Sequence, residues 1–196
     1  MVKSRLKAFS DGVIAIIITI MVLELKPPHA PTIEALQPLI PVFLSHALSF
    51  LYVGIYWNNH HHLLQAARRM RGSILWTNPH LLFWLSLIPF ATAYMDENHY
   101  FSVPTVLYGV VLFMAAVAYL ILQQLIIKSE GADSIVKRAD GSAWKDKFSP
   151  LAYHTAIALE PWSSWLSQAL FMGAALVWLI PNRRIEHQFS EREYTS

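Results

Sequence analysis

The sequence predicts an all-α membrane protein with six transmembrane helices per subunit. Three observations carry that prediction. The 196-residue chain is 55% hydrophobic and only 14% charged, far too apolar for a soluble domain of this size. Its apolar residues gather into six stretches, most of them near the roughly 20 residues that cross a bilayer. Its Lys and Arg residues fall almost entirely on one side of those stretches, as membrane topology requires. The 7 Trp and 8 Tyr suit the two membrane–water interfaces. There is no Cys, which excludes disulfides, thiolate metal sites and cysteine nucleophiles.

The first stretch, about 6–25, reads "LKAFSDGVIAIIITIMVLEL". It is too long for a signal-peptide core and no small-x-small cleavage site follows it, so it is expected to be retained. The second runs about 39–64, the third about 74–95 and the fourth about 103–127. The fifth, about 147–160, is short and the weakest by hydropathy; the sixth, about 162–181, stops at Pro181. Charge supports the fifth. With six spans, fourteen of the fifteen basic residues share one side and only Lys26 takes the other; with five, Arg183 and Arg184 would change sides. Both termini are then expected to be cytoplasmic, in a multi-pass protein of the cell membrane. The outer linkers are short and proline-rich or acidic, and the one longer polar linker, about 128–146, is cytoplasmic. With no internal repeat, residues 1–185 read as one membrane domain and 186–196 as a short polar tail.

Depth in the bilayer brings polar residues together. Arg5, Ser10 and Asp11 lie where the first span leaves the cytoplasm, and Asp11 is only roughly 9 Å along the axis from Arg5. The second span returns to that level with Trp57, Asn58, Asn59 and His60 to His62, and the third leaves it with Asn78 and His80. Ionisable groups at membrane depth are costly unless paired or wet. A buried hydrogen-bonded network tying three helices together is the economical expectation. The competing reading is that Arg5 and the histidines snorkel to the interface. Asp11 is too short to do so.

Above Asp11 the first span is apolar on every side. Ile16, Ile20 and Leu23 follow i, i+4, i+7, with Gly12 and Thr19 beside them. Thr19, the one polar side chain between Asp11 and Glu24, either bonds its own helix or faces water or an ion.

Other motifs lead nowhere. Adjacent histidines point to different helix faces, so "HHH" at 60–62 is a poor metal site. "TVLYG" at 105–109 is similar to a potassium filter loop, but it sits inside a hydrophobic helix, where carbonyls are already bonded. No phosphate-binding glycine loop, serine elbow or paired-carboxylate site is present, so neither enzyme activity, nor a cofactor, nor a nucleic-acid partner is expected. His154 and Glu160 are assigned no more than an inter-helix contact or a mouth position. A proton- or cation-coupled transporter with Asp11, His60 and Glu24 as a relay is the alternative, although the inverted repeats or broken helices of such transporters are not seen.

Arg5, Phe9, Ser10 and Asp11, in the pattern R-x-x-x-F-S-D before "GVIAIIITIMVLEL", resemble the signature of the transmembrane-protein-175 family of potassium channels. So do "W-x-x-H-H" at Trp57, His60 and His61, "NPHLLFWLSLIPF" from Asn78 to Phe90, and the closing "WLIPNRRIE". The resemblance covers essentially the whole chain; the stretch with His154 and Glu160 departs from it. It implies a homotetramer of six-helix units with a pore lined by the first helix, conducting potassium passively; because no rigid cage of oxygens is visible, only a modest preference over sodium is expected. It implies a main constriction at Ile16 and further pore positions at Thr19, Ile20 and Leu23; Glu24, just beyond that stripe, is expected at the outer mouth, where carboxylates concentrate cations. The network implied to hold that helix is Arg5, Ser10, Asp11, His60 and Asn78.

Overall fold

A computed structural model describes residues 2–28, 30–68, 70–98, 101–131 and 143–179, with the backbone alone for 2 and 143–147. Among the described residues the chain is helical without strands: α1 (Val2–Leu23), a 3-10 segment (Glu34–Leu39), α2 (Ile40–Ala66), α3 (Gly72–Ser86), α4 (Ile88–Glu97), α5 (Ser102–Glu130), α6 (Ala143–Leu159) and α7 (Ser164–Leu179). The linker basic residues Arg69, Lys137 and Arg138, and everything from Ile180 onward, including Pro181, Arg183, Arg184, Arg192 and the 186–196 tail, lie outside the described residues.

Helix is the only open-ended way to satisfy backbone N–H and C=O groups within hydrocarbon. The breaks fall where side-chain chemistry forces them. α1 ends just before the pair Pro27–Pro28. α2 starts with proline in its first turn, where a missing N–H costs nothing. α5 stops at Gly131, whose φ of 68° is disfavoured for side chains with a Cβ. The stretch expected as one span over 74–95 is in fact interrupted at Leu87, whose N–H turns back to Trp84 O at 3.3 Å. Pro89 is the cause: it has no N–H for Leu85 O and its ring would crowd that carbonyl.

Among the described residues, four segments are long and apolar enough to cross a membrane: 3–23, 34–66, 72–97 and 102–130. α7 is apolar but shorter, and α6 is the least apolar. Neighbouring rods run antiparallel. At one end Lys3 Nζ donates to Gln65 O (2.8 Å) and Arg68 N to Glu130 Oε1 (2.7 Å), joining the start of α1 to the ends of α2 and α5. At the other end Lys26 Nζ meets Glu97 Oε1 at 2.5 Å, and Ser45 Oγ donates to Asp96 Oδ1 at 2.5 Å.

The core lies between α2, α5, α6 and α7, around Tyr52, Tyr108, Tyr153 and Phe171, all fully buried. A Cβ on Gly109 would stand 2.7 Å from Ile157 Cγ1 and 2.9 Å from Phe171 Cζ. The glycine therefore lets α5 pack against α6 and α7. The "TVLYG" residues are accordingly continuous α-helix inside α5.

Candidate functional site

α1 lies on one side of the bundle, packed on α2, α3 and α4. Its inward face is Ser10, Ile14, Ile17 and Met21, all at most 3% exposed. These positions follow i, i+4, i+7, i+11, one stripe of a 3.6-residue helix. The opposite face carries Gly12, Ile16, Thr19, Ile20 and Leu23, with Ile16 57% and Leu23 77% exposed. A helix apolar on both faces yet buried on only one has half its surface left for lipid or another copy.

The foot of α1 is fixed by hydrogen bonds whose direction can be worked out. Ser10 Oγ lies 2.9 Å from Leu6 O, a carbonyl that can only accept, so the Ser10 proton is used there. Asn78 Nδ2 must then donate to Ser10 Oγ, at 2.9 Å. That leaves Asn78 Oδ1 to accept from His60 Nε2 at 2.6 Å, so the proton of a neutral His60 sits on Nε2. All three side chains are fully buried. The chain thus joins α2, α3 and α1 in one line. Beside it, Trp57 Nε1 donates to Asp11 Oδ1 at 3.0 Å, a second link between α2 and α1.

Arg5 is not drawn into this cluster. It lies about 140° around the helix from Ser10, is exposed, and makes no side-chain hydrogen bond or ion pair among the described residues. It shares the outward face with Gly12, Ile16 and Leu23. Lys7 instead reaches α2, 3.2 Å from His61 Nε2. His80 accepts from Trp84 Nε1 at 3.0 Å on its own helix. Thr19 Oγ1 donates to Ile16 O at 2.9 Å, which leaves its lone pairs outward. Glu24 lies past the end of α1 in a turn and lines a pocket with Met21, Leu25 and Lys26, off the Ile16–Leu23 line. Glu160 is 2% exposed and accepts from Ser164 Oγ at 2.8 Å, at the turn between α6 and α7.

Sequence reasoning missed a second set of polar ties. Ser45, Ser49, Tyr52, Tyr56 and His60 form one buried stripe along α2. Ser49 Oγ lies 2.8 Å from Thr92 Oγ1 and 3.0 Å from Tyr108 Oη, and Tyr52 Oη donates to Phe171 O. The spacing i, i+4, i+7, i+11, i+15 is visible in the sequence, but matching by depth singles out only its cytoplasmic end, His60. Outside the membrane, the Lys26 ammonium is held above its usual range by its hydrogen bond to Glu97.

Helices apolar outside and hydrogen-bonded inside, with basic residues at one end, define a multi-pass helical membrane protein. The comparisons refine this. The family model described as endosomal/lysosomal potassium channel TMEM175 matches residues 5–89. The chain is 50% identical over 191 residues to a potassium channel of Chryseobacterium sp., covering 97% of this chain and all of that one. It is 30% identical over 175 residues to a potassium channel of Chamaesiphon minutus, covering 83% of this chain and 86% of the relative. The crystal structure of a lysosomal potassium-selective channel TMEM175 homolog from Chamaesiphon minutus superimposes with a TM-score of 0.76 at 28% identity, covering 92% of this chain and 97% of that chain. The chain belongs to the TMEM175 family.

Proposed function

We propose that this protein is a potassium-conducting cation channel, a homotetramer of six-span subunits whose pore is lined by α1. The observation that carries the reading is the split character of α1: a stripe from Ser10 to Met21 locked into its own subunit, and an exposed apolar stripe from Gly12 to Leu23. The relatives that match over nearly their whole length are potassium channels, which supports the same reading. In a tetramer, four outward faces converge on the symmetry axis. Four Ile16 side chains meeting there exclude water, a gate that works by dewetting. Opening requires α1 to tilt or rotate, and the polar foot is the fulcrum.

Selectivity in this scheme is modest. An ion crossing a tight apolar ring sheds part of its hydration, and potassium sheds water more readily than sodium. Four Thr19 hydroxyls one turn farther out offer oxygen lone pairs in return, because their protons are engaged by Ile16 O. Carboxylates at the outer end, Glu24 among them, raise the local cation concentration. The chain sits in the cell membrane with both termini cytoplasmic, and potassium is the permeant ion. The test is reconstitution in liposomes. A potassium gradient should drive passive flux, with a reversal potential that favours potassium over sodium. Absence of flux, or equal permeation of the two ions, overturns the reading.

A further inference from the structure

We propose that a chamber in the subunit core, one turn of α2 from His60, binds a water molecule that bridges Tyr56 and Asn59. The chamber, about 30 Å³, lies between α2, α5, α6 and α7. That is enough for one water, which needs about 10–15 Å³ and two to four polar partners. Its α2 wall runs from Tyr52 to Asn59, about 10 Å of helix rise.

Two lining side chains have polar atoms to spare. Tyr56 is only 9% exposed, and its hydroxyl makes no hydrogen bond among the described residues. Tyr119 meets it edge-on, ring to ring, at 6.1 Å. Asn59 Nδ2 gives one proton to Ile55 O at 2.8 Å, and its Oδ1 makes no hydrogen bond among the described residues. Tyr56 and Asn59 are three residues apart, hence neighbours on one helix face, and both line the same chamber. Other polar lining is already engaged. Ser149 Oγ accepts from Trp178 Nε1, and Tyr52 Oη donates to Phe171 O.

The lining selects a small neutral guest that can both donate and accept. No carboxylate and no basic side chain lines the chamber, so a cation would find no counter-charge there. An apolar guest would leave Tyr56 and Asn59 unsatisfied at a depth where lipid offers no partner. Water accepts from the Tyr56 hydroxyl and donates to Asn59 Oδ1, and such a bridge is nearly as favourable as a direct hydrogen bond. Tyr56 precedes His60 by one turn, so this water adjoins the line from His60 through Asn78 to Ser10 that holds α1.

Hydroxyl-radical footprinting by X-ray pulse, read by mass spectrometry on the full chain in nanodiscs, tests this. Radicals made from a bound water oxidise the side chains beside it, and a scavenger in bulk solvent does not intercept them. Tyr56 should be oxidised at least tenfold faster than Tyr108, which is fully buried. Scavenger should suppress labelling of Trp162, 80% exposed, and spare that of Tyr56. Ala116→Leu, which fills the chamber, should slow Tyr56 labelling at least fivefold, and Asn59→Leu, which removes the second partner, should slow it at least threefold. Ala116→Leu is read only if its melting temperature and elution volume match the parent; the part-exposed change Asn59→Leu decides otherwise. Labelling of Tyr56 no faster than of Tyr108, its suppression by scavenger, or an unchanged rate in Asn59→Leu overturns the proposal. The assay reads no ion flux, so its failure and that of the conduction reading are distinguishable.

Discussion

Ser10 has one hydroxyl and uses it in both directions, donating to Leu6 O and accepting from Asn78 Nδ2. That makes Asn78 the middle of a chain in which every proton has one place to go. Asn78→Leu would leave Ser10 and His60 buried without each other's bridge, and an unsatisfied buried polar group costs about 1–3 kcal/mol. The expected outcome is a lower melting temperature in detergent, read by tryptophan fluorescence. Asn78→Asp should be destabilised too, because an ionised carboxylate cannot donate to Ser10. A melting temperature equal to the parent's in both variants would mean the chain does not hold α1. Ile16 makes the opposite case, a side chain whose proposed role rests on its exposure in its own subunit. Ile16→Asn should wet the constriction and raise potassium flux in liposomes while lowering the preference over sodium. Unchanged flux and selectivity would place the constriction elsewhere.

Among the elements, α2 and α5 are the load carriers, for different reasons. α2 turns a polar stripe inward and its Phe43, Phe50 and Trp57 outward, the reverse of a soluble helix. Lipid gives no hydrophobic drive for helix association, so hydrogen bonds and close packing do the joining. α5 contributes the packing through Gly109. Gly109→Ala would press a methyl group into Ile157 and Phe171, and overpacking of this kind costs about 1–3 kcal/mol. The variant should show a lower melting temperature and a reduced yield of folded protein, whereas Gly54→Ala, with nothing within 4 Å of its Cβ, should match the parent. Equal melting of all three proteins would show that α6 and α7 can retreat without loss.

For the molecule as a whole, sidedness is the property that function rests on. The described basic residues Lys3, Arg5, Lys7, Arg68, Arg71 and Lys128 gather at the end opposite Lys26, and the antiparallel contacts agree with that division. Because the chain has no Cys, single-cysteine reporters are clean. Ala30→Cys should react with an impermeant maleimide on intact cells, and Ser73→Cys only after the membrane is opened. Labelling of both from outside would overturn the proposed six-span topology.

The sequence by itself determined the class of protein, the common level of Ser10, His60 and Asn78 along their helices, and the stripe Ile16–Ile20–Leu23 on one helix face. Depth follows from counting residues at a fixed rise per residue, and a helix face follows from a fixed turn, so neither needs a neighbour. Ser10, His60 and Asn78 could be matched in height for that reason. Only the tertiary structure decided which of them meet. It left Arg5 on the outward face, gave Asp11 to Trp57 and Lys7 to His61, broke the third span at Leu87, and opened the pocket beside Glu24. Those outcomes depend on how far each helix is rotated about its own axis against the others. That rotation is set by the summed packing of side chains from several helices, Gly109 against Ile157 and Phe171 among them, and no single stretch of sequence carries it.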